Sequence, residues 1–554
     1  MPQFGFATTS AAETTAAALI LPVFEGPEAG PGVDEVGKAL GVDLVATYRD
    51  NNLRGKVGET LAVPTLGHLA ARTVVLVGLG KRAEVRPDSL RRAAGRAARV
   101  AARFDSVATT LARAARPPAE AVQAVVEGLL LGSYRFDRFK TSASRPELPE
   151  PSRLETVTLL GVNEPDAAKR AQVVSESVAW ARDLVNTPAG AATPEFLADE
   201  ARSMAKHTGL EVKIWTKADL EKGGFGGVLG VGQGSVNPPR FIELTYDGGR
   251  KGDPPIAITG KGITFDSGGL SIKDAKGMEW MKADMGGAAA MLAAMRSIAL
   301  LKPKINVIAA IPSSENLPSG SALRPGDVLT HRGGKTSEVL NTDAEGRLIL
   351  ADALAYLSEK EPRVIIDAAT LTGACMIALG DEIWGVMGND RRLIRDVIAA
   401  GDAVGEPGWE LPLWRRYRTK IDSPVADVKN IGDRYGGAIT AALFLSEFVG
   451  DTPWCHLDVA GTAFWEKAGD YWPRGATGSP ARTIVRYVLD RAAESSRARS
   501  ASKRVASSRS AAAAGESRTG SKSSAKAKSG AKAKGGRSSD RETRTRSRDR
   551  AGAR

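Results

Sequence analysis

The sequence predicts an α/β protein of two domains, a smaller N-terminal one and a larger C-terminal one with a mixed central sheet flanked by helices. Short apolar runs of strand length alternate with helix-period segments. A hydrophobic fraction of 42% over 554 residues is enough for two cores, and 60 glycines furnish tight loops between elements. Nothing approaches the roughly 18 consecutive apolar residues of a membrane span. The only two cysteines, Cys375 and Cys455, exclude a disulfide framework and suit a reducing interior, so a cytoplasmic setting is expected. No basic region precedes the first apolar run, since the first Lys or Arg is Lys38, and no secretory leader is expected.

Residues 1–150 form the expected N-terminal α/β domain. Leu44–Tyr48, Thr73–Val77 and Ser106–Leu111 read as strands, and Ser89–Phe104 places Leu, Ala and Val at helical spacing. Gly78-Leu79-Gly80-Lys81-Arg82-Ala83 formally fits a dinucleotide fingerprint. The next helix starts only at Pro87, and no acidic residue stands about 20 positions on to hold a ribose. A strand-ending turn is the better reading.

Residues 151–185 are a connector and linking helix, introduced by the Ser- and Pro-rich stretch 141–153. The strand Thr156–Leu160 and a helix from Asp166 to Leu184 end at Asn186-Thr187-Pro188. The larger domain, 186–493, opens with the helix Pro194–Thr208. Strands follow at Glu211–Trp215, Phe241–Tyr246, Ile256–Thr259, Ile305–Ala310 and Arg363–Ala368. In such sheets sites lie in loops beyond the strand ends.

The net charge of +12 is unevenly spread. Residues 491–554 carry 19 Lys+Arg against 5 Asp+Glu, which leaves 57 against 59 in residues 1–490. From 494 to 554 the composition is Ser, Ala, Gly, Lys and Arg, too apolar-poor to offset its ordering entropy, so a disordered basic tail is expected. The tail is either a solubilising extension or a weak, salt-dependent contact with nucleic acid or another polyanion.

The chemistry concentrates in glycine-rich loops. Asn341-Thr342-Asp343-Ala344-Glu345-Gly346-Arg347-Leu348 precedes an apolar, helix-spaced run closed by Pro362. In an extended segment Asp343, Glu345 and Arg347 would leave one face, at a helix start that favours anions. Upstream, Lys261 and Asp266 stand in a glycine-rich loop, followed by Lys273, and Asp284 opens an apolar helix Gly286–Leu301. Clustered carboxylates repel unless a cation sits between them, and a divalent pair (Mg²⁺, Mn²⁺ or Zn²⁺) suits oxygen-rich ligation. Spacing alone does not bring these loops together, and a solvated charged turn stays open. The histidines, His68, His207, His331 and His456, form no ligand motif.

These residues resemble the leucyl (cytosol) aminopeptidases, a family of dinuclear metallo-exopeptidases. The octapeptide 341–348 is similar to the family's signature without a change. So, in the family's order, are Asn186-Thr187-Pro188, the stretch from Gly260-Lys261-Gly262 to Phe265-Asp266-Ser267-Gly268-Gly269, Ser271-Ile272-Lys273 and Lys282-Ala283-Asp284-Met285. Arg324-Pro325-Gly326-Asp327, Thr370-Leu371-Thr372-Gly373-Ala374 and His456-Leu457-Asp458-Val459-Ala460-Gly461-Thr462 complete the match, which covers about 175–490. Asp274 stands where the family usually has proline, and the basic tail is outside the pattern.

The resemblance implies that 186–493 is a catalytic metallopeptidase domain, which splits the N-terminal residue from peptides with a free α-amine. It implies two divalent ions per subunit, Mn²⁺ or Zn²⁺. One would be held by Lys261, Asp266, Asp284 and Glu345, the other by Asp266, Asp343 and Glu345. Lys261 would bind as a neutral amine, its pKa depressed by the metal. Lys273 would stabilise an oxyanion, and Arg347 would hold a bicarbonate that acts as base. Met281, Asn341, Thr370 and Gly373 would line the substrate pocket, and six copies would form a homohexamer. The alternative is a nucleic-acid-binding protein acting through its tail.

Overall fold

Two sheets, each covered by helices on both faces, organise the chain. The computed structural model describes residues 2–141 and 154–497. The first sheet runs in the order Gln3–Ala7, Thr156–Leu160, Ser106–Thr109, Ala18–Phe24, Thr73–Gly78, Thr60–Pro64. Every pair on that path is parallel except the last. Along the wholly buried strand Ala18–Phe24, Ala18, Ile20 and Phe24 face the helices Pro87–Ala101 and Pro118–Gly132. Leu19, Leu21 and Val23 face Val33–Leu40 and Leu44–Asp50 on the other side. The period of two thus builds two half-cores from one strand.

Several expectations for this region change. Leu44–Tyr48 is not a strand but most of the helix Leu44–Asp50. Asp43 decides it: its carboxylate accepts from the Ala46 N–H at 2.9 Å, an N-cap that starts the helix. Leu44 and Tyr48, four apart, then enter one core. The strand from Ser106 stops at Thr109, whose hydroxyl accepts from the Leu111 N–H and starts a 3-10 turn. Gly78–Ala83 is a strand-ending turn, with the helix beginning at Pro87. Strand Thr156–Leu160, placed in the connector from sequence, pairs inside the first sheet. The Ser- and Pro-rich residues 142–153 lie outside the described residues. Residues 494–497, where a disordered tail was expected to begin, are helical, and the rest of the tail lies outside the described residues.

The second sheet runs Gly408–Glu410, Trp384–Gly388, Trp454–Asp458, Val364–Ala369, Ile256–Gly260, Asn306–Asn316, Arg240–Asp247, Glu211–Trp215, with Gly262–Asp266 beside Asn306–Asn316. Its four central strands, from Trp454–Asp458 to Asn306–Asn316, are parallel, and antiparallel pairings flank them. Ile256 and Ile258 pack toward the helices Pro165–Asn186, Pro194–Thr208 and Gly286–Leu301, whereas Ala257 faces Gly346–Ser358 and Gly437–Ser446. The segment Met281–Leu301 is long and apolar enough to cross a membrane, but 83% of its most apolar window is buried inside the protein. It is the core helix of this sheet.

A buried ionic cluster ties the two sheets' helices together. Glu127, on Pro118–Gly132, meets Arg91 Nε at 2.7 Å and Arg482 Nη1 at 3.4 Å. Arg482 also reaches Glu406 at 3.1 Å and the Tyr471 hydroxyl at 3.1 Å. All of these side chains except the more exposed Asp88 partner of Arg91 are almost fully buried. Glu127→Ala leaves two guanidinium groups short of their shared carboxylate, and the expected loss is about 3–5 kcal/mol. Thermal unfolding checks it: the midpoint should fall by several degrees, and an unchanged midpoint would show that the cluster adds no stability.

Candidate metal centre

The functional residues gather where the parallel strands end, at the edge where such sheets place their sites. Lys261 follows Ile256–Gly260, Asp266 closes Gly262–Asp266, and Thr370 follows Val364–Ala369. Asp284 lies in the 3-10 segment Met281–Met285 that leads into Gly286–Leu301. Glu345 occupies the N-cap position of Gly346–Ser358 yet makes no side-chain cap bond, because its carboxylate is turned to Lys261. Two glycines make this approach feasible. A Cβ on Gly287 would lie 2.1 Å from the Ala368 carbonyl oxygen, holding helix and sheet apart. One on Gly346 would lie 2.5 Å from Lys261 Cε, so the glycine of the octapeptide is what lets the lysine cross the helix start.

Two ammonium groups hold four carboxylates. Lys261 Nζ lies 2.8 Å from Asp284 Oδ2, 2.7 Å from Glu345 Oε1 and donates to the Thr370 carbonyl at 3.0 Å. Lys273 Nζ lies 2.8 Å from Asp266 Oδ2 and also pairs with Asp343 Oδ1. The Thr370 hydroxyl donates to Asp284 Oδ1 at 2.7 Å. Burial alone would lower both lysines, but the carboxylates around them outweigh it and raise them. Burial pushes Asp284 well up, and burial with the Glu345 charge pushes Asp266 up. The lysines rise because carboxylates surround them, and the carboxylates rise because burial comes first and two ammonium groups are too few to offset four buried acids.

That deficit is the test of whether metal ions fit, and the residues pass it. Asp266, Asp343 and Glu345 each offer a ligand atom, all within 4.8 Å of one another. Asp284 Oδ2, Asp343 Oδ1 and Glu345 Oε1 are buried and accept no hydrogen bond of good geometry, although an ammonium stands beside each. Carboxylate oxygens with one amine are a donor set for hard or borderline divalent cations.

All five expected ligand residues and Lys273 therefore meet, and Arg347 stands at the helix start expected near Gly346. The segment is not extended: a turn precedes the helix, and Arg347 lies inside Gly346–Ser358. Its Nη1 donates to the Asn430 carbonyl at 2.6 Å, and among the described residues it makes no ion pair. Its buried Nε has no partner, and burial brings its pKa down to about 10. Of the four expected pocket residues, Thr370 touches both Asp284 and Lys261. Asn341 accepts from the Asp343 N–H at 2.8 Å. Met281 starts the segment of Asp284, and Gly373 is exposed, with nothing within 4 Å of a Cβ there. Asp274 caps a single helical turn, Ala275–Met278, by accepting from Gly277 N–H.

Two buried asparagines escaped the sequence reading. Asn316 donates to Asp266 Oδ1 at 2.8 Å and to the Thr342 carbonyl at 2.9 Å. Asn430 donates to the Asn341 carbonyl at 2.7 Å and accepts from the Leu340 N–H at 2.9 Å. Asn316 ends an apolar strand at the edge where sites lie, which is a usable signal; Asn430 carries none.

The histidines stay out of the site. His456 Nδ1 meets Asp367 at 2.5 Å inside the sheet. His331 stands between Asp352 at 3.2 Å and Ser337 Oγ at 2.7 Å, the order of a hydrolytic triad. Ser337 is 0% exposed and Asp352 also accepts from Val228 and Arg332 N–H groups, so no substrate reaches this row. It fastens the helix Gly346–Ser358 to its neighbours.

Comparison with known proteins agrees with this geometry. The chain matches the catalytic domain of the cytosol aminopeptidase family over residues 179–485 and that family's N-terminal domain over 20–143. A "Probable cytosol aminopeptidase" of Syntrophotalea carbinolica is 46% identical, with 84% of this chain and 95% of that protein aligned. One from Streptomyces coelicolor is 44% identical, covering 89% and 99%. Among solved structures, a tomato leucine aminopeptidase mutant superposes with a TM-score of 0.79 at 33% identity, covering 88% of this chain and 97% of that one. The bottromycin maturation enzyme BotP in complex with Mn superposes with a TM-score of 0.77 at 35% identity, covering 86% and 100%. With both family domains matched in order and the sheet-edge cluster in place, the chain belongs to the cytosol aminopeptidase family.

Proposed function

We propose that the protein is a metal-dependent aminopeptidase that removes leucine and other N-terminal residues from peptides with a free α-amine. The observation that carries this reading is the convergence of Asp266, Asp284, Asp343 and Glu345 on two lysines at one sheet edge. Lys261, its ammonium proton displaced by the ion, would hold one divalent ion together with Asp266, Asp284 and Glu345, and Asp266, Asp343 and Glu345 would hold the other, with Mn²⁺ or Zn²⁺ as candidates. Such ions, when bound, supply Lewis acidity and a water of lowered pKa.

The chain's own groups have separate tasks. Asp284, held by Thr370, accepts a hydrogen bond from the substrate's α-amine, which selects free N-termini. With the carboxylate charge compensated by bound cations, the Lys273 ammonium is released to donate to the substrate carbonyl oxygen as charge develops on it. The partnerless Nε of Arg347 offers a donor to a small anion such as bicarbonate, which would act as base. Assembly as a homohexamer in the cytoplasm belongs to the same reading; exposed Ile377, Trp409 and Trp414 supply apolar surface for contacts between copies.

The test is release of leucine from leucyl amide by metal-loaded protein. Turnover should stop with chelator, return with Mn²⁺, and be absent for the N-acetylated substrate; an intact free-amine substrate would overturn the proposal. Glu345→Ala should lower turnover by on the order of a thousandfold, since it removes a ligand shared by both ions. Near-normal turnover would refute its bridging role.

A second activity is proposed for the tail, on the strength of the 19 Lys+Arg against 5 Asp+Glu in residues 491–554 beside a nearly neutral remainder. It would attach weakly to nucleic acid or another polyanion. Full-length protein should retain DNA on a filter at low salt and release it as salt rises, whereas a 1–490 truncation should not retain it. Both forms should turn over substrate equally; retention by the truncation would remove the tail from the account.

A further inference from the structure

The turn that carries Asp343 and the strand that carries Asp266 come from distant parts of the chain, and something must set their separation. Asn316 is placed to do so. It ends the strand Asn306–Asn316, which is buried along its whole length, and is itself 3% exposed. It stands in register with Asp266, and its carbonyl accepts from the Ser267 N–H at 3.0 Å and the Ser267 hydroxyl at 2.7 Å. The strand therefore fixes its backbone against the Asp266 loop.

The side chain completes the connection. Its Nδ2 has two protons, and the structure uses both: one meets Asp266 Oδ1 at 2.8 Å, the other the Thr342 carbonyl at 2.9 Å. The amide has only one workable orientation. Turned over, its oxygen would face a carboxylate and a carbonyl, two acceptors with nothing to share. Asp266 Oδ1 also takes the Gly268 N–H at 2.9 Å, so two donors lock the carboxylate's rotation and leave Oδ2 toward Lys273. Gly269 closes the fit, because a Cβ there would stand 2.7 Å from Asn316 Oδ1.

We propose that Asn316 is a positioning residue of the metal centre, its single amide nitrogen setting which Asp266 oxygen faces the ions and how far Asp266 stands from the Asp343 turn. The assignment rests on the two-metal reading above. Groups that orient a ligand from behind typically change metal affinity by about 10–100-fold, whereas a residue that only fills the core would leave affinity intact once the protein has folded.

The experiment is titration of metal-free protein with Mn²⁺, following free Mn²⁺ by its electron paramagnetic resonance signal, for wild type, Asn316→Leu and Asn316→Ala. Leu keeps much of the bulk and Ala removes it; neither can donate. Wild type should bind two ions, and either variant that retains the near-ultraviolet dichroism of the folded protein should bind Mn²⁺ roughly 10–100-fold more weakly. Binding within about threefold of wild type by a folded variant overturns the assignment, as does loss of the folded spectrum in both variants, which would make the contact a support of the fold. A wild type that binds no Mn²⁺ defeats the metal reading itself, and that result appears before any variant is compared.

Discussion

Mutual repulsion of buried carboxylates is the constraint on which the site depends. Ligand atoms of Asp266, Asp343 and Glu345 come within 4.8 Å of one another. At an effective dielectric near 20, two unit charges at that spacing repel by roughly 3–4 kcal/mol, a large part of the 5–15 kcal/mol that typically holds a domain together. Such a cluster persists only if counter-charge is built in, and Lys261 and Lys273 are that counter-charge. Their placement in turn dictates the glycines. Lys261 reaches Glu345 only because Gly346 has no side chain, and the helix that follows Asp284 approaches the sheet only because Gly287 has none.

This chain of dependence explains which parts of the site were legible in the sequence. A carboxylate two residues from another, followed by glycine and a helix-spaced apolar run, is a local pattern, and the helix from Gly346 is where that pattern puts it. Lys261, Asp266 and Asp284 were legible because each stands at the junction of an apolar strand or helix with a glycine-rich loop. Arg347 stands at the helix start that the pattern puts there, but it shares no extended face with Asp343, because a period of two does not carry across a helix boundary. One residue into the helix, its side chain turns to the Asn430 carbonyl rather than to Asp343. Asn316 and Asn430 donate to backbone carbonyls 26 and 89 residues away; the end of an apolar strand marks Asn316, but no local pattern marks Asn430.

The fold shows the same division. The helix Pro194–Thr208 and the strand Glu211–Trp215 follow from period and caps, and they stand where the sequence puts them. Leu44–Tyr48 went the other way: its β-favouring residues gave way to one carboxylate cap and to the burial of Leu44 and Tyr48 in one core. The strands Gln3–Ala7 and Ala18–Phe24 were not anticipated. Ala18–Phe24 is buried on both faces and presents a continuous apolar run, which periodicity cannot separate from a helix.

The distribution of polar residues also separates the work of the two sheets. All the groups of the candidate metal centre, and the asparagines and threonines that hold them, come from the second sheet and its loops, between Lys261 and Asn430. The first sheet contributes instead the Arg91–Glu127 pair, which meets Arg482 and Glu406 of the second in a sealed cluster. A buried charge cluster stabilises less than an apolar one of equal volume when intact, but costs much more when mismatched. Its effect is therefore on which arrangement of the two layers is allowed. The first sheet fixes the frame at that contact and leaves the chemistry to the strand ends of the second, so substitutions on its outer face should change assembly or stability before they change turnover.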